Sequence, residues 1–192
     1  MKKNLFALFA IAAMTLCSCG ENQKGKNNDD YENFDSVVAN VKFLTEVTIT
    51  NLHGETTTYP TDFSALDVEC FYGFKADGSD AKYVKITQQN PSIEISIPVT
   101  SSSATLYGGI KYTLKPDFDK TKKVCLGRGV EVDSYKFYNA GSVVSNPKGY
   151  FRSSEFALAG GDYDLTDEEQ LGHFNRFVEN SKKPRIICTV TR

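Results

Sequence analysis

From Val41 onward the chain alternates apolar and polar residues with a period of two. Val41, Phe43, Val47 and Ile49 alternate with Lys42, Glu46, Thr48 and Thr50; Leu66, Val68, Cys70, Tyr72 and Phe74 repeat the pattern; Ile93, Ile95, Ile97 and Val99 give its clearest form. Such alternation predicts strands with one buried and one solvated face. Leu106, Ile110, Tyr112 and Leu114 predict a further strand, with Gly108-Gly109 breaking it as a bulge would. Shorter strands are predicted over residues 83–87, 122–126 and 130–138, the last with a slip in its alternation at Ser134. The chain closes on Ile186, Cys188 and Val190, and Asp77-Gly78 predicts a hairpin turn. About eight one-faced strands predict a mainly β fold, an antiparallel β-sandwich of immunoglobulin-like or related type, with a β-barrel as the alternative.

One helix interrupts this pattern near the end. Thr166-Asp167-Glu168-Glu169 reads as a capping box, with Thr166 as the cap. Leu171, Phe174, Phe177 and Val178 then recur at helical spacing and predict a core-facing stripe that plugs one end of the sandwich. Pro184 separates the helix from the last strand.

The front of the chain follows neither period. Lys2 and Lys3 precede an apolar run from Leu5 to Leu16. That run is shorter than the roughly twenty residues a membrane-spanning helix needs, so it reads as a signal peptide. It ends in Leu16-Cys17-Ser18-Cys19, which resembles the lipobox of bacterial lipoproteins. The resemblance covers the export signal alone. It implies cleavage after Ser18 and a diacylglyceryl anchor of palmitate-type chains on Cys19. It also implies an outer-membrane location, facing either the periplasm or the cell surface. Residues 1–18 are then the signal and 19–36 a polar, disordered tether. Residues 37–192 form a single β-rich domain, long enough to bury a core of its own.

Removing residues 1–18 takes away Lys2 and Lys3, which leaves 20 basic against 24 acidic side chains, a net charge of −4. A mildly acidic chain with scattered Lys and Arg argues against nucleic acid as a partner. Of five cysteines, Cys70, Cys125 and Cys188 remain once the signal is removed and Cys19 is assigned to the lipid. Cys70 and Cys188 share the apolar set of their strands, so a Cys70–Cys188 disulfide with Cys125 free is one expectation. Both thiols buried and unpaired is the other.

The chemistry-bearing residues are few. His53 and His173 are the two histidines, and no GxSxG elbow, HExxH or P-loop is present. Asp162, Asp164, Asp167 and Glu168 begin like a calcium loop but lack its turn glycine and its distal glutamate, and helix capping accounts for them better. No catalytic residue, metal or cofactor is therefore expected. Tyr135, Tyr138, Tyr150 and Phe151 are the candidate partner-binding aromatics. The expected function is that of an envelope-anchored module binding a protein or glycan partner. A hydrolase or a small-ligand carrier is the competing reading.

Overall fold

The computed structural model describes residues 31–154 and 159–192. Among these, the chain runs through β1 (Ser36–Leu44), β2 (Glu46–Thr50), β3 (Thr56–Pro60), β4 (Leu66–Gly73), β5 (Lys82–Ile86), β6 (Ser92–Pro98) and β7 (Ser103–Leu114). It continues through β8 (Lys123–Asn139), β9 (Ser142–Val144), β10 (Tyr150–Ser153), β11 (Ala159–Asp164), α1 (Glu168–Ser181) and β12 (Arg185–Thr191). Two five-stranded antiparallel sheets result. The first has the order β11-β8-β1-β6, with β9 also on β8; the second has the order β10-β12-β7-β4-β5. Neither closes on itself, so the architecture is the antiparallel sandwich and not the barrel.

Alternation places the core between the sheets. Val37, Ala39, Val41 and Phe43 of β1 and Ile95 and Ile97 of β6 face Leu66, Val68 and Cys70 of β4 and Leu106, Ile110 and Tyr112 of β7 in one continuous buried cluster. The Asp77-Gly78 turn joins β4 to β5 as predicted, with Gly78 at φ 72°.

Several predicted boundaries move. The run from Val41 to Thr50 belongs to two strands, β1 and β2. The segments 122–126 and 130–138 fuse into the 17-residue β8. Gly127 does not break that strand. It lies beneath the β2–β3 ribbon, and a Cβ there would strike the Tyr59 carbonyl. Gly108 and Gly109 likewise sit inside the continuous strand β7, where Phe71, Ile187 and the Ser181 carbonyl press too close for a side chain; the register shift is on β12, between Ile186 and Cys188.

The expected signal peptide, Cys19 and the expected tether as far as Asp30 lie outside the described residues. The rest of the predicted tether belongs to the domain. Glu32 bridges to Pro147 and Phe34 is only 1% exposed. Asp35 accepts from the Ala140 amide at 2.9 Å and the Ser36 hydroxyl at 2.7 Å. Ala140 and Gly141 both have positive φ, as the two-residue turn joining β8 to β9 requires. These bonds hold the exposed Asp35 carboxyl below its ordinary value of 3.8, the Ala140 amide being the main cause. A carboxyl depressed in the folded state stabilises above its unfolded value and loses that contribution as pH falls through its folded one. Asp35→Asn should therefore flatten the fall in melting temperature below about pH 4. Thermal unfolding across an acid series checks this.

The expected Cys70–Cys188 disulfide is absent, and Cys70, Cys125 and Cys188 are all free. Cys70 sits opposite Ile110 and Cys188 opposite Leu106, on either side of β7. Two strand spacings and a four-residue offset separate them by roughly 10 Å across and about 13 Å along the sheet, well beyond the ~7 Å that a disulfide spans. Burial pushes both thiols up to about 12.

The helix cap is Asp167, not Thr166. Its carboxylate accepts from the Gln170 amide at 3.0 Å, while the Thr166 hydroxyl is taken by Asp164 at 2.6 Å. Of the predicted stripe, Phe174 is buried, Phe177 and Val178 pack on the core, and Leu171 is exposed. The helix lies against β7 and β11, one strand from each sheet. Beneath it Arg128 occupies an inward position on β8 that alternation would assign to an apolar residue. Its Nη1 donates to the Ser181 hydroxyl at 3.1 Å, its guanidinium lies 5.0 Å over the Phe177 ring, and its Nε has no partner. Ser181 ends the helix, so the negative end of the helix dipole offsets part of this buried charge.

Candidate functional site

Tyr135, Phe151, Tyr150 and Arg152 gather where β8 and β10 meet along one margin of the sandwich. On its outer side β8 is paired by β11 over residues 123–128 and by β9 over 137–139, so residues 129–136 have no strand there. β10 is the first strand of the second sheet and pairs only with β12. Tyr135 lies opposite Ala39 and Phe151 opposite Val190. Both partners are fully buried, so both rings start from the inward face of their sheets. They stack across the opening with centroids 4.0 Å apart and planes 16° from parallel.

Behind this stack the rings continue inward. Tyr135 meets Phe137 edge-on at 5.8 Å, and Phe137 meets Phe34 at 4.7 Å. The four rings run from the core to the surface, and Tyr135, at the outer end, is 47% exposed. Tyr150 projects from the opposite face of β10, 53% exposed, with the Arg152 guanidinium 5.8 Å from its ring centre.

Of the four candidate aromatics, Tyr135 and Phe151 touch, and Tyr150 joins the same margin from the other face of β10. Tyr138 does not. It is displaced by three positions from Tyr135 and lies opposite Ser36, on the outer face of the first sheet and half-buried. The slip predicted at Ser134 is the physical reason. The β1–β8 register shifts between Asn40 and Val41, opposite residues 132–134, which keeps Tyr135 and Phe137 inward and turns Tyr138 out. Phe34, Phe137 and Arg152 were not anticipated. Phe137 carried a signal, since it stands two residues from Tyr135; Phe34 carried none, because its neighbours are polar.

Comparison of the chain with known protein families, curated proteins and solved structures gave no match in any of the three.

The other candidates do not assemble. His53 is exposed in the β2–β3 turn, and His173 is exposed on α1, 3.8 Å from Glu169. Two open surface depressions measure about 440 and 390 Å³. One is lined by Glu32, Asn33, Asn139 and Val143, the other by Phe74, Pro98, Thr105 and Tyr107; neither histidine lines either. Asp164 accepts from the Thr166 amide and hydroxyl, and Asp167 caps the helix. Among the described residues no group of three or more His, Cys, Asp or Glu side chains converges. What the β8–β10 margin offers is flat π surface beside a guanidinium, a chemistry of contact rather than of bond-making.

Proposed function

We propose that this chain is an exported lipoprotein, held at the outer membrane by a diacylglyceryl group on Cys19. Its sandwich is a non-catalytic module that binds a protein or glycan partner. The observation that carries the binding reading is the ring series from Phe34 to Tyr135. Its outermost ring stays half-exposed although it stacks on Phe151. Aromatic rings of this kind contact sugar faces or apolar side chains with little loss of conformational freedom. The anchoring reading rests on Leu16-Cys17-Ser18-Cys19.

Each half has its own test. Cys19→Ser should move the protein from the detergent phase to the aqueous phase, while Cys17→Ser should leave it in place. Stable anchoring needs more than one acyl chain, and this thiol and its new amino end are where bacterial lipoproteins carry them. Retention of Cys19→Ser in the detergent phase would defeat the anchoring reading. Tyr135→Ala, screened beside the parent on a glycan array and on immobilised envelope proteins, should weaken the ligand found by about tenfold or more. Equal binding by both would remove the Tyr135 margin as the binding surface.

A further inference from the structure

We infer that the outer edge of β10 is a docking site for an extended peptide strand of a partner protein, which adds to the second sheet as a sixth strand. The inference rests on reading this margin as a binding surface and narrows the partner from protein or glycan to protein.

The backbone carries the first part of the argument. The Ser154 amide donates to the Ile187 carbonyl at 2.8 Å. In an antiparallel pair this fixes which residues point their N–H and C=O groups at the neighbour. Tyr150, Arg152 and Ser154 face β12, so Phe151 and Ser153 point theirs outward. Among the described residues no backbone group meets them. Two N–H and two C=O groups, alternating along an extended strand, match the spacing of another extended backbone.

The other margins show how this fold blunts an edge. On β6, the Val99 amide bonds to Asp35 and the Phe43 amide to Pro91, so Ser92, Glu94, Ser96 and Pro98 are the outward residues. One of them is charged and another has no N–H to offer. The edge strand β5 carries Lys82 and Lys85. Charge and proline are the devices that keep strands from pairing with strangers. β10 has no proline, its one charged residue, Arg152, turns its backbone groups to β12, and its outward residues are Phe151 and Ser153.

The side chains specify the occupant further. A strand laid along β10 would turn every second side chain inward, toward the exposed ring of Tyr135, and the alternate ones outward beside Arg152. Arg152 has no carboxylate partner among the described residues. The fitting peptide therefore alternates an apolar residue with polar ones, at least one of them acidic.

Ser153→Pro is the discriminating variant. It removes an outward N–H and leaves the ladder to β12 intact, because proline is accepted at the open side of an edge strand. A phage-displayed library of random peptides is panned on the immobilised full-length chain, and the enriched sequences are synthesised. The expected result is enrichment of alternating apolar–acidic sequences whose affinity falls about tenfold or more in Ser153→Pro, at an unchanged melting temperature. Hydrogen exchange on the unsubstituted chain is the second measurement, and the Phe151 and Ser153 amides should slow when the peptide is added. No enrichment, enrichment indifferent to Ser153→Pro, or no slowing at these two amides would overturn the proposal. Concentration-dependent self-association abolished by Ser153→Pro would make the occupant a second copy of this chain and also overturn it. A glycan lost with Tyr135→Ala but kept with Ser153→Pro would defeat strand addition while leaving the binding surface in place.

Discussion

Phe34→Ala is expected to lower folding stability by about 3–5 kcal/mol, the loss typical of emptying a buried phenylalanine site. The residue stands in a stretch with the composition of a linker, yet its ring is 1% exposed and packs on Phe137. The chain around it is tied down on both sides. Arg192 donates to the Phe34 carbonyl at 3.0 Å, the Lys148 amide to Glu32 at 2.7 Å, and the Glu32 amide to Asn146 at 2.8 Å. Gly149 passes so near the ring that a Cβ there would lie 2.9 Å from it. The cavity left by alanine cannot collapse easily under those restraints, which places the loss toward the upper end. Phe137, Tyr135 and Phe151 follow one another outward from the same ring, so the substitution should also loosen the binding margin. Denaturant unfolding of the variant beside the parent measures the first effect. A change below about 1 kcal/mol would mean that residues 31–35 do behave as linker.

Phe174→Ala should cost about 3–5 kcal/mol, and Leu171→Ala less than about 1. The two residues belong to one predicted stripe, and only position on the helix separates them. Phe174 is 5% exposed and meets Tyr163 edge-on at 5.7 Å; Leu171 is 37% exposed. The contrast measures how α1 docks, through Phe174 and Phe177 on one side and through Arg128 and Ser181 at its end. Equal and large losses would show that Leu171 is covered in solution.

The alternation of apolar residues made β4, β6, β7 and the part of β1 from Val41 legible because each has one face in the core; residues 36–40 of β1 lie outside the predicted run. β3 and β11 were not legible for the opposite reason. Thr56-Thr57-Thr58 has no apolar set to alternate, and β11 opens on Ala159-Gly160-Gly161, where glycines lie close under Tyr59 and Tyr163. Their strand character comes from the partner they pair with, a tertiary effect that no local pattern records. Arg128 shows the same limit from the other side. A charged residue at a core-facing position reads as a break, and its acceptability depends on a helix end more than fifty residues away. At the binding margin the aromatic residues were visible one by one. Their grouping depended on the register shift opposite Asp133 and on β10 forming at all, within a segment whose Gly, Ser, Asn and Pro content predicts a loop.

The free cysteines have a consequence for how openings of this domain can be followed. Cys70 and Cys188 are held apart on either side of β7, each buried and unpaired. The native packing itself keeps the thiols from chemistry, since the reactive species is the thiolate and burial disfavours it. Each buried sulfur thereby becomes a clock. The rate at which Cys70 and Cys188 take up a thiol reagent counts openings of the second sheet.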